Sequence, residues 1–256
     1  MLLVDVHAHL DDVLFGSDIS GVLERASKAG VKAVIANGVD KNTNRQVLAL
    51  AVKYPVVKAA LGIYPMDKLE SETKKKANFT ADDEILFIEE NIKKITAIGE
   101  CGLDYSDVTE ENKIEQIRVF EELIAIAKKY DRPIIVHSRK AEKDTIEILE
   151  KSRHNKVVMH CFSGNHKLVE RIRINKWFFS IPTNIVRNEH FQKVVNETPL
   201  SQLLTETDAP FLSPFKEQIN EPAFVYETIK KIAWIKRMDE TEVANNIYSN
   251  YQRIFL

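Results

Sequence analysis

The sequence contains few of the residues that mark specialised classes of protein. It has two cysteines, Cys101 and Cys161, and no C-x-x-C motif, so a disulfide framework is not expected. No apolar stretch reaches the roughly 20 residues of a membrane span, and no basic region followed by an apolar core begins the chain. We therefore expect a cytoplasmic protein with no membrane partner. Because the net charge is −2, a broad basic surface that wraps nucleic acid is not expected either.

The composition is that of a globular protein. Hydrophobic residues make up 44% of the chain and charged residues 29%, which is enough apolar surface for a sizeable core. A length of 256 residues fits one large α/β domain or two small ones. Since no linker, low-complexity tract or abrupt change of composition divides the chain, we predict a single domain over residues 1–256.

Short apolar runs with the character of strands alternate with segments of helical periodicity. The predicted strands are 2–7, 32–37, 56–62, 95–100, 133–137, 156–160, 177–181 and 203–207. The predicted helices include 18–30, 82–94, 142–152 and 111–130, the last with Ile114, Ile117, Phe120, Ile124 and Ala127 on one face. Eight β-then-α units in about 250 residues predict an α/β protein with a TIM (β/α)8 barrel, which can be distorted. A doubly wound open sheet ranks second, because no glycine-rich phosphate turn follows a strand.

Side chains that can bind metals stand at the carboxyl ends of five predicted strands. These residues are His7 and His9 at the end of strand 1, Glu100 at the end of strand 4, His137 at the end of strand 5, His160 at the end of strand 6, and Glu206 and Asp208 at the end of strand 8. An isolated H-x-H pair is more often just two polar residues at a strand end. A barrel, however, gathers the carboxyl ends of all its strands on one face. Four histidines with two or three carboxylates on that face predict a metal site.

The number of candidate ligands bears on the number of ions. A mononuclear catalytic zinc site has three protein ligands. The four histidines with Glu100 and Asp208 make six, which is enough for two ions that share a carboxylate. Two adjacent ions suit in-line displacement at phosphorus. Imidazole favours zinc, and carboxylate favours magnesium or manganese, so the identity of the divalent ions (Zn²⁺, Mg²⁺ or Mn²⁺) stays open. The remaining histidines, His154, His166 and His190, are interpreted as structural or surface residues.

Five ordered motifs resemble those of one protein family. They are DVHAHLDD (5–12), IGECGLDY (98–105), RPIIVHSR (132–139), HCFSG (160–164) and TETDAP (205–210), and NEPAFV (220–225) and VANNIYSNYQRIF (243–255) extend the match. Together they resemble the TatD family of metal-dependent deoxyribonucleases, which belongs to the amidohydrolase superfamily of barrels. The resemblance covers essentially the whole chain and implies a barrel of the metal-dependent hydrolase type.

The resemblance also implies roles for individual residues. It places one ion on His7, His9 and Asp208, another on His137 and His160, and Glu100 as a bridge between them. Asp208 would in addition orient or deprotonate the attacking water, so Asp208 and Glu100 are the expected catalytic residues.

Five further residues are expected to bind the substrate or to hold the metal ligands: Arg139, Asp104, Glu206, Tyr64 and Asn220. Arg139 follows the family pattern as a phosphate contact, and a solvated arginine is the alternative. Asp104 and Glu206 would orient ligands or substrate. Their alternatives are a helix cap and a strand-end ion pair, respectively.

The chain departs from the family pattern in regions that would contact substrate. Many relatives have glycine, histidine and proline after strand 3, whereas GIYPMD here carries Tyr64 and Met66. The basic, glycine-containing loop that precedes the Asn-Glu-Pro triplet is replaced by SPFKEQI (213–219), which keeps only Lys216. The lysine-rich segment 72–79 is interpreted as a solvated loop. These departures put the choice of substrate in doubt more than the hydrolytic chemistry.

Three functions follow from this interpretation. The first is a nuclease that cleaves phosphodiester bonds of transiently bound DNA, as a 3′-to-5′ exonuclease on single strands. The second is a hydrolase of another ester in the same site, such as a D-aminoacyl-tRNA deacylase. The third is a catalytically silent barrel that serves as a binding scaffold, which is disfavoured because all six ligands are present. No obligate protein partner is expected.

Overall fold

The computed structural model describes residues 1–73 and 79–256. Eight strands within them form one sheet in the order in which they occur along the chain. They are β1 (Leu3–Ala8), β2 (Val31–Asn37), β3 (Val57–Leu61), β4 (Ala97–Asp104), β5 (Ile134–Arg139), β6 (Val157–His160), β7 (Phe178–Ile181) and β8 (Leu203–Thr205). Each strand overlaps one that the sequence predicts.

Ten α-helices accompany the strands in the described part of the chain. They are α1 (Ile19–Ala29), α2 (Lys41–Lys53), α3 (Met66–Thr73), α4 (Ala81–Glu90), α5 (Glu110–Lys129), α6 (Glu142–Ser152), α7 (His166–Ile174), α8 (Glu189–Glu197), α9 (Val225–Lys236) and α10 (Glu240–Phe255). Short 3-10 helices lie at Val13–Phe15, Ile92–Lys94, Thr183–Val186, Leu200–Gln202 and Pro222–Phe224. Of the predicted lysine-rich loop, residues 74–78 lie outside the described residues, and its start belongs to α3. None of the described helices combines the length and apolar content needed to cross a membrane.

The strand order identifies the fold as a nearly closed (β/α)8 barrel. The strands pair in parallel, and β1 meets β8 at an isolated parallel bridge between Ala8 and Ala209. Beside this bridge the Thr205 hydroxyl donates a hydrogen bond of 2.6 Å to the carbonyl oxygen of Val4. A doubly wound sheet would reverse its strand order near its middle, so that alternative is excluded. The barrel prediction is confirmed, with its seam at β1 and β8.

The chain divides into two compact units. Unit 1 comprises residues 1–36, 49–58 and 178–256, and unit 2 comprises residues 37–48 and 59–177. The single domain over residues 1–256 therefore stays a prediction. Each unit contains one group of the candidate site residues.

In unit 1, α10 shows how a helix forms and covers the end strands. The side chain of Asp239 accepts hydrogen bonds from the backbone nitrogens of Thr241 and Glu242, which otherwise lack partners at a helix start. The buried residues of α10 include Val243, Ala244, Ile247, Tyr251 and Ile254. This face packs against β1 and β8, so α10 supports the two strands that close the sheet.

In unit 2, α5 runs beside β4 and confirms most of a predicted helix. Thr109 caps its first turn by accepting a hydrogen bond from the backbone nitrogen of Asn112. Phe120, Ile124 and Ala127 are buried as predicted. Ile114, on the same predicted face, is 69% exposed. Ile114 lies in the first turn and a half of the helix, where periodicity alone does not show how far the packed face extends.

The strands β4 and β5 extend past their predicted carboxyl ends, and this changes the position of two site residues. The pairing of β4 with β5 continues through Gly102–His137 to Asp104–Arg139. Glu100 and His137 therefore lie within their strands and not at the ends. The sequence did not show the extension because the added residues, 101–104 and 138–139, include a glycine and polar side chains that interrupt the apolar pattern of a strand.

Candidate metal centre

In unit 1, three predicted ligands come together where β1 and β8 meet. His7 lies in β1, and His9 and Asp208 lie just beyond the ends of their strands. The Nε2 atoms of His7 and His9 are 3.3 Å apart. Asp208 Oδ1 lies 3.6 Å from Nε2 of His7 and 3.4 Å from Nε2 of His9. We refer to these three residues as the triad.

The spacing of the triad fits a divalent metal ion. An ion with tetrahedral ligands at 2.0–2.2 Å holds those ligand atoms about 3.3 to 3.6 Å from one another. The three distances in the triad fall in this interval. The His7 side chain is fully buried and the other two are 15% exposed, so the group is enclosed yet reachable from solvent. Two imidazoles and one carboxylate are also a common donor set for catalytic zinc.

Main-chain hydrogen bonds hold the triad in register. The backbone nitrogen of Asp208 donates to the carbonyl oxygen of His7 at 2.8 Å, and that of His9 donates to the carbonyl oxygen of Ala209 at 2.7 Å. Asp208 itself has a φ of +56°, in the left-handed region that side chains other than Gly, Asn and Asp rarely adopt. Such conformations persist where the surroundings enforce them, and they concentrate at functional sites.

The buried carboxylate of Asp5 ties the two ligand-bearing segments together. It accepts hydrogen bonds from the backbone nitrogens of His7 (3.2 Å) and Thr207 (2.9 Å) and from the Thr207 hydroxyl (2.5 Å). Burial raises the pKa of Asp5 to about 8, although the hydrogen bonds from Thr207 and His7 act in the opposite direction. Asp5 therefore connects β1 directly to the segment that carries Asp208.

Asn220 secures the backbone on both sides of Asp208. Its fully buried amide donates to the carbonyl oxygens of Thr207 (2.7 Å) and Phe211 (2.6 Å) and to the hydroxyl of Thr183 (2.9 Å). These contacts are those of a residue that holds a ligand segment. Glu206 is also fully buried, and its backbone nitrogen donates to Ile181 as β8 ends.

In unit 2, a second group of predicted residues surrounds the ring of His137. Its Nδ1 lies 3.0 Å from Glu100 Oε1, and its Nε2 lies 3.1 Å from Asp104 Oδ2. The ring of His160 stacks on it with 6.5 Å between centroids. Burial lowers the pKa of His137, but Asp104 and Glu100 raise it more strongly, so the net shift is upward. We refer to His137, Glu100, Asp104, His160 and Tyr64 as the His137 cluster.

The carboxylate of Asp104 connects several side chains of the His137 cluster. Besides His137, it accepts hydrogen bonds from the Tyr64 hydroxyl (3.2 Å), from the backbone nitrogen of Ser106 (2.8 Å) and from the Ser106 hydroxyl. Burial raises the pKa of Asp104, but hydrogen bonds from His137 and Ser106 hold it well below its usual range. A carboxylate that fixes one nitrogen of a histidine leaves the other to face an ion. Here that nitrogen is Nδ1, on the side of Glu100.

Two glycines allow the backbone to approach the cluster closely. A Cβ at Gly102 would overlap the carbonyl oxygen of His137, its partner in the β4–β5 pairing, and its φ is +146°. A Cβ at Gly62 would overlap the carbonyl oxygen of Glu100. Both positions therefore require glycine if the strands that carry Glu100 and His137 are to pack as they do.

The remaining predicted residues are less informative about a role. Arg139 ends β5 with an exposed side chain, as either a phosphate contact or a solvated arginine would be. His154 is buried, and its Nε2 lies 3.0 Å from the carbonyl oxygen of Arg132, which is a structural contact. His166 is exposed at the start of α7, and His190 is half-buried in α8.

Sequence reasoning missed the residues that hold the ligands in place. Sequence reasoning assigns no role to Asp5, Thr207 or Ser106. A signal was present for Asp5, because an acidic residue inside an otherwise apolar strand needs a partner when buried. No sequence pattern identified Thr207 as the partner of Asp5 or Ser106 as a partner of Asp104.

Comparison with known proteins agrees with the presence of a candidate metal centre in a barrel. The family described as TatD related DNase matches residues 4–256. Deoxyribonuclease TATDN3 of Homo sapiens is 36% identical over 259 residues, which cover 99% of this chain and 94% of the human protein. The uncharacterized metal-dependent hydrolase YabD of Bacillus subtilis (strain 168) is 32% identical over 262 residues, covering 99% of both chains. The crystal structure of YJJV, a TatD homologue from Escherichia coli K12, has a TM-score of 0.86 at 27% identity and covers 99% of this chain and 97% of its own. The motifs of this chain, its strand order and its similarity to these proteins all indicate the same family. The chain belongs to the TatD-related DNase family.

Proposed function

We propose that this chain is a divalent-metal-dependent hydrolase that removes nucleotides from the 3′ end of single-stranded DNA. The observation that carries the proposal is the triad, whose three ligand atoms have the mutual spacing of a metal site. The relatives named as a deoxyribonuclease and as a metal-dependent hydrolase support the same chemistry. A site at the carboxyl ends of barrel strands receives a chain terminus more readily than the middle of a duplex, which favours exonuclease action.

Two sets of residues would hold the ions. His7, His9 and Asp208 would hold one, and Glu100, His137 and His160 would hold another, with Asp104 fixing the ring of His137. When bound, such ions supply Lewis-acid chemistry, which lowers the pKa of water and neutralises charge on phosphoryl oxygens. Zn²⁺, Mg²⁺ and Mn²⁺ all suit a mixed set of imidazole and carboxylate ligands.

Asp208 is the proposed general base. Its carboxylate oxygen would accept the proton of the water that attacks phosphorus, while the imidazoles of His7 and His9 act only as ligands. The hydrogen bonds of its backbone to β1 and the amide of Asn220 on either side fix the segment of backbone that carries this carboxylate. A fixed base needs no reorientation during the reaction, which is the physical advantage of the arrangement.

A second candidate is hydrolysis of another ester in the same site, such as a D-aminoacyl-tRNA. The observation in its favour is the segment 213–219, where Lys216 is the only basic residue and Glu217 follows it. Cleavage of DNA brings an anionic phosphodiester into the site and would gain from positive charge there, whereas the ester bond of an aminoacyl-tRNA is uncharged.

The test uses protein stripped with a chelator and reconstituted with Zn²⁺, Mn²⁺ or Mg²⁺. Single-stranded oligonucleotides labelled at the 5′ end should give a ladder of shortening products, and those labelled at the 3′ end should release single nucleotides at once. A His7→Ala/His9→Ala double variant purified in parallel controls for contaminating nuclease. Deacylation of D-aminoacyl-tRNA without any DNA hydrolysis under all three metals would establish the second candidate.

Metal content tests the number of ions and the bridge that the family resemblance implies for Glu100. Elemental analysis at saturation should give two ions per chain. Because a bridging group serves both ions, Glu100→Gln should lower the metal content more than His7→Ala does. One ion per chain at saturation, or equal losses in the two variants, would contradict the bridge.

A further inference from the structure

Exposed apolar side chains are concentrated in the two loops that follow β1 and β8. They are Val13 (89% exposed), Leu14 (54%), Phe211 (48%), Phe215 (41%) and Ile219 (49%). Both loops leave the strands that carry the triad, on the side where the carboxyl ends of those strands lie. Exposed apolar groups beside a site of chemistry indicate a ligand surface more than they indicate packing.

Phe211 stands out because its ring lies next to a ligand of the triad. It lies 6.2 Å from the ring of His9 between centroids, at an interplanar angle of 62°. Its backbone nitrogen donates to the carbonyl oxygen of Asp208 at 2.8 Å, and its own carbonyl oxygen accepts from Asn220 at 2.6 Å. The backbone of Phe211 is thus held at both of its polar groups, and its half-exposed ring offers a flat apolar surface beside the triad.

The charge of these loops narrows the choice of ligand. Segments 10–18 and 209–219 together contain one basic residue, Lys216, and four acidic ones, Asp11, Asp12, Asp18 and Glu217. A phosphate chain would gain little from them. A nucleobase has an uncharged π-face that stacks on an aromatic ring whatever its sequence.

We propose that Phe211 is the stacking platform for the base of the terminal nucleotide, next to the metal ligands of the triad. This inference rests on the proposed function, since it assigns one part of a single-stranded DNA substrate to a surface of that site. Stacking on Phe211 makes the enzyme tolerant of the identity of the terminal base but sensitive to the absence of a base. A protein that docks on the same apolar loops is the competing occupant.

The direct test is the fluorescence of 2-aminopurine, a base analogue whose emission falls on stacking. Oligothymidylates carry it at the 3′ terminus, at the 5′ terminus or internally, with phosphorothioate linkages that resist hydrolysis, and are titrated with the metal-loaded protein. We expect quenching at one terminus in the wild type and in Phe211→Trp. Quenching should be lost in Phe211→Leu, which keeps an apolar side chain, and in Phe211→Ala.

A kinetic test measures how much stacking contributes. Base stacking on an aromatic ring is worth about 1–3 kcal/mol per base, so Phe211→Ala should lower kcat/KM on single-stranded DNA by about 5- to 150-fold. The preference of the wild type for an intact over an abasic terminal nucleotide should disappear in this variant. The control is Trp234→Ala, because Trp234 is a 72% exposed aromatic of α9 that faces Lys231 and no residue of the triad. It should keep both the rate and the preference.

The outcomes separate this inference from the proposed function. If the wild type hydrolyses DNA but quenches 2-aminopurine at no position, or if quenching persists in Phe211→Ala, the stacking platform is wrong while the nuclease stands. If the wild type quenches a terminal base but hydrolyses no DNA with any metal, the platform stands while the nuclease is wrong. Equal kcat/KM for intact and abasic termini in the wild type also overturns the platform and leaves the apolar loops to a protein partner.

Discussion

The triad and the His137 cluster are positioned in different ways. In the triad, backbone hydrogen bonds between β1 and the segment after β8 set the places of His9 and Asp208, and the ligand side chains meet as a consequence. In the His137 cluster, side chains hold side chains, because Asp104 collects hydrogen bonds from His137, Tyr64 and Ser106. Removing one supporting side chain should therefore disturb the cluster more than the triad. In the triad, the side chains whose removal should do most harm are the ligands His7, His9 and Asp208 themselves.

The largest effect is expected from Asp208→Asn. The amide oxygen can still face the ions, but an amide cannot accept the proton, so kcat on single-stranded DNA should fall by about 10²- to 10⁴-fold while metal stays bound. Parallel assays of turnover and metal content decide this. The matched control is Asp239→Asn, because asparagine caps a helix as well as aspartate does. Near-normal turnover in Asp208→Asn would show that the base lies elsewhere.

A smaller effect is expected from Asp104→Asn, which tests the cluster directly. Loss of the carboxylate that fixes the ring of His137 should weaken metal affinity or activity by about 10- to 100-fold. Chelator competition measures the affinity of the metal-loaded protein. Ser106→Ala removes one donor to the same carboxylate. Its metal affinity should lie between that of Asp104→Asn and that of the wild type. If Asp104→Asn binds metal as tightly as the wild type, His137 does not depend on Asp104 for its orientation.

The hydroxyl of Thr207 joins the segment that carries Asp208 to β1, through Asp5. Its removal tests whether this contact holds the two segments of the triad together. Thr207→Val removes the donor to Asp5 Oδ2 and leaves a buried acceptor short of a partner, which costs about 1–3 kcal/mol in the free energy of unfolding. Urea unfolding measures this loss. Thr228→Val is the matched control, because the hydroxyl of Thr228 is buried and has no hydrogen-bond partner among the described residues. Equal stability of the two variants would mean that Asp5 does not hold the segments together.

The smallest effect is expected at His154, a buried histidine outside both groups. Burial lowers its pKa below the ordinary value of 6.5, so between the two values the unfolded chain binds more protons than the folded one. The free energy of unfolding should therefore rise with pH through that window and fall as the solution is acidified through it. His154→Gln should flatten this dependence relative to the wild type, with both measured by urea unfolding from pH 5 to 8. An unchanged slope would show that His154 does not contribute to it.

The sequence by itself determined the architecture and the set of candidate ligands. Strand and helix periodicity depends on local patterns of apolar residues, which is why eight strands and the (β/α)8 barrel were predicted correctly. The ordered motifs likewise predicted the family, because each is a run of consecutive residues that can be recognised without knowledge of the fold. They contain His7, Glu100, His137, His160 and Asp208.

Only the tertiary structure decided how far β4 and β5 extend and which side chains support the ligands. It also decided that Ile114, at the start of α5, is exposed. Asp104 meets His137 because Asp104 and Arg139 are paired across β4 and β5. Asp5 meets Thr207 because the chain returns to β1 after seven other strands. Such contacts depend on strand register and on closure of the sheet, and neither leaves a local pattern in the amino-acid sequence.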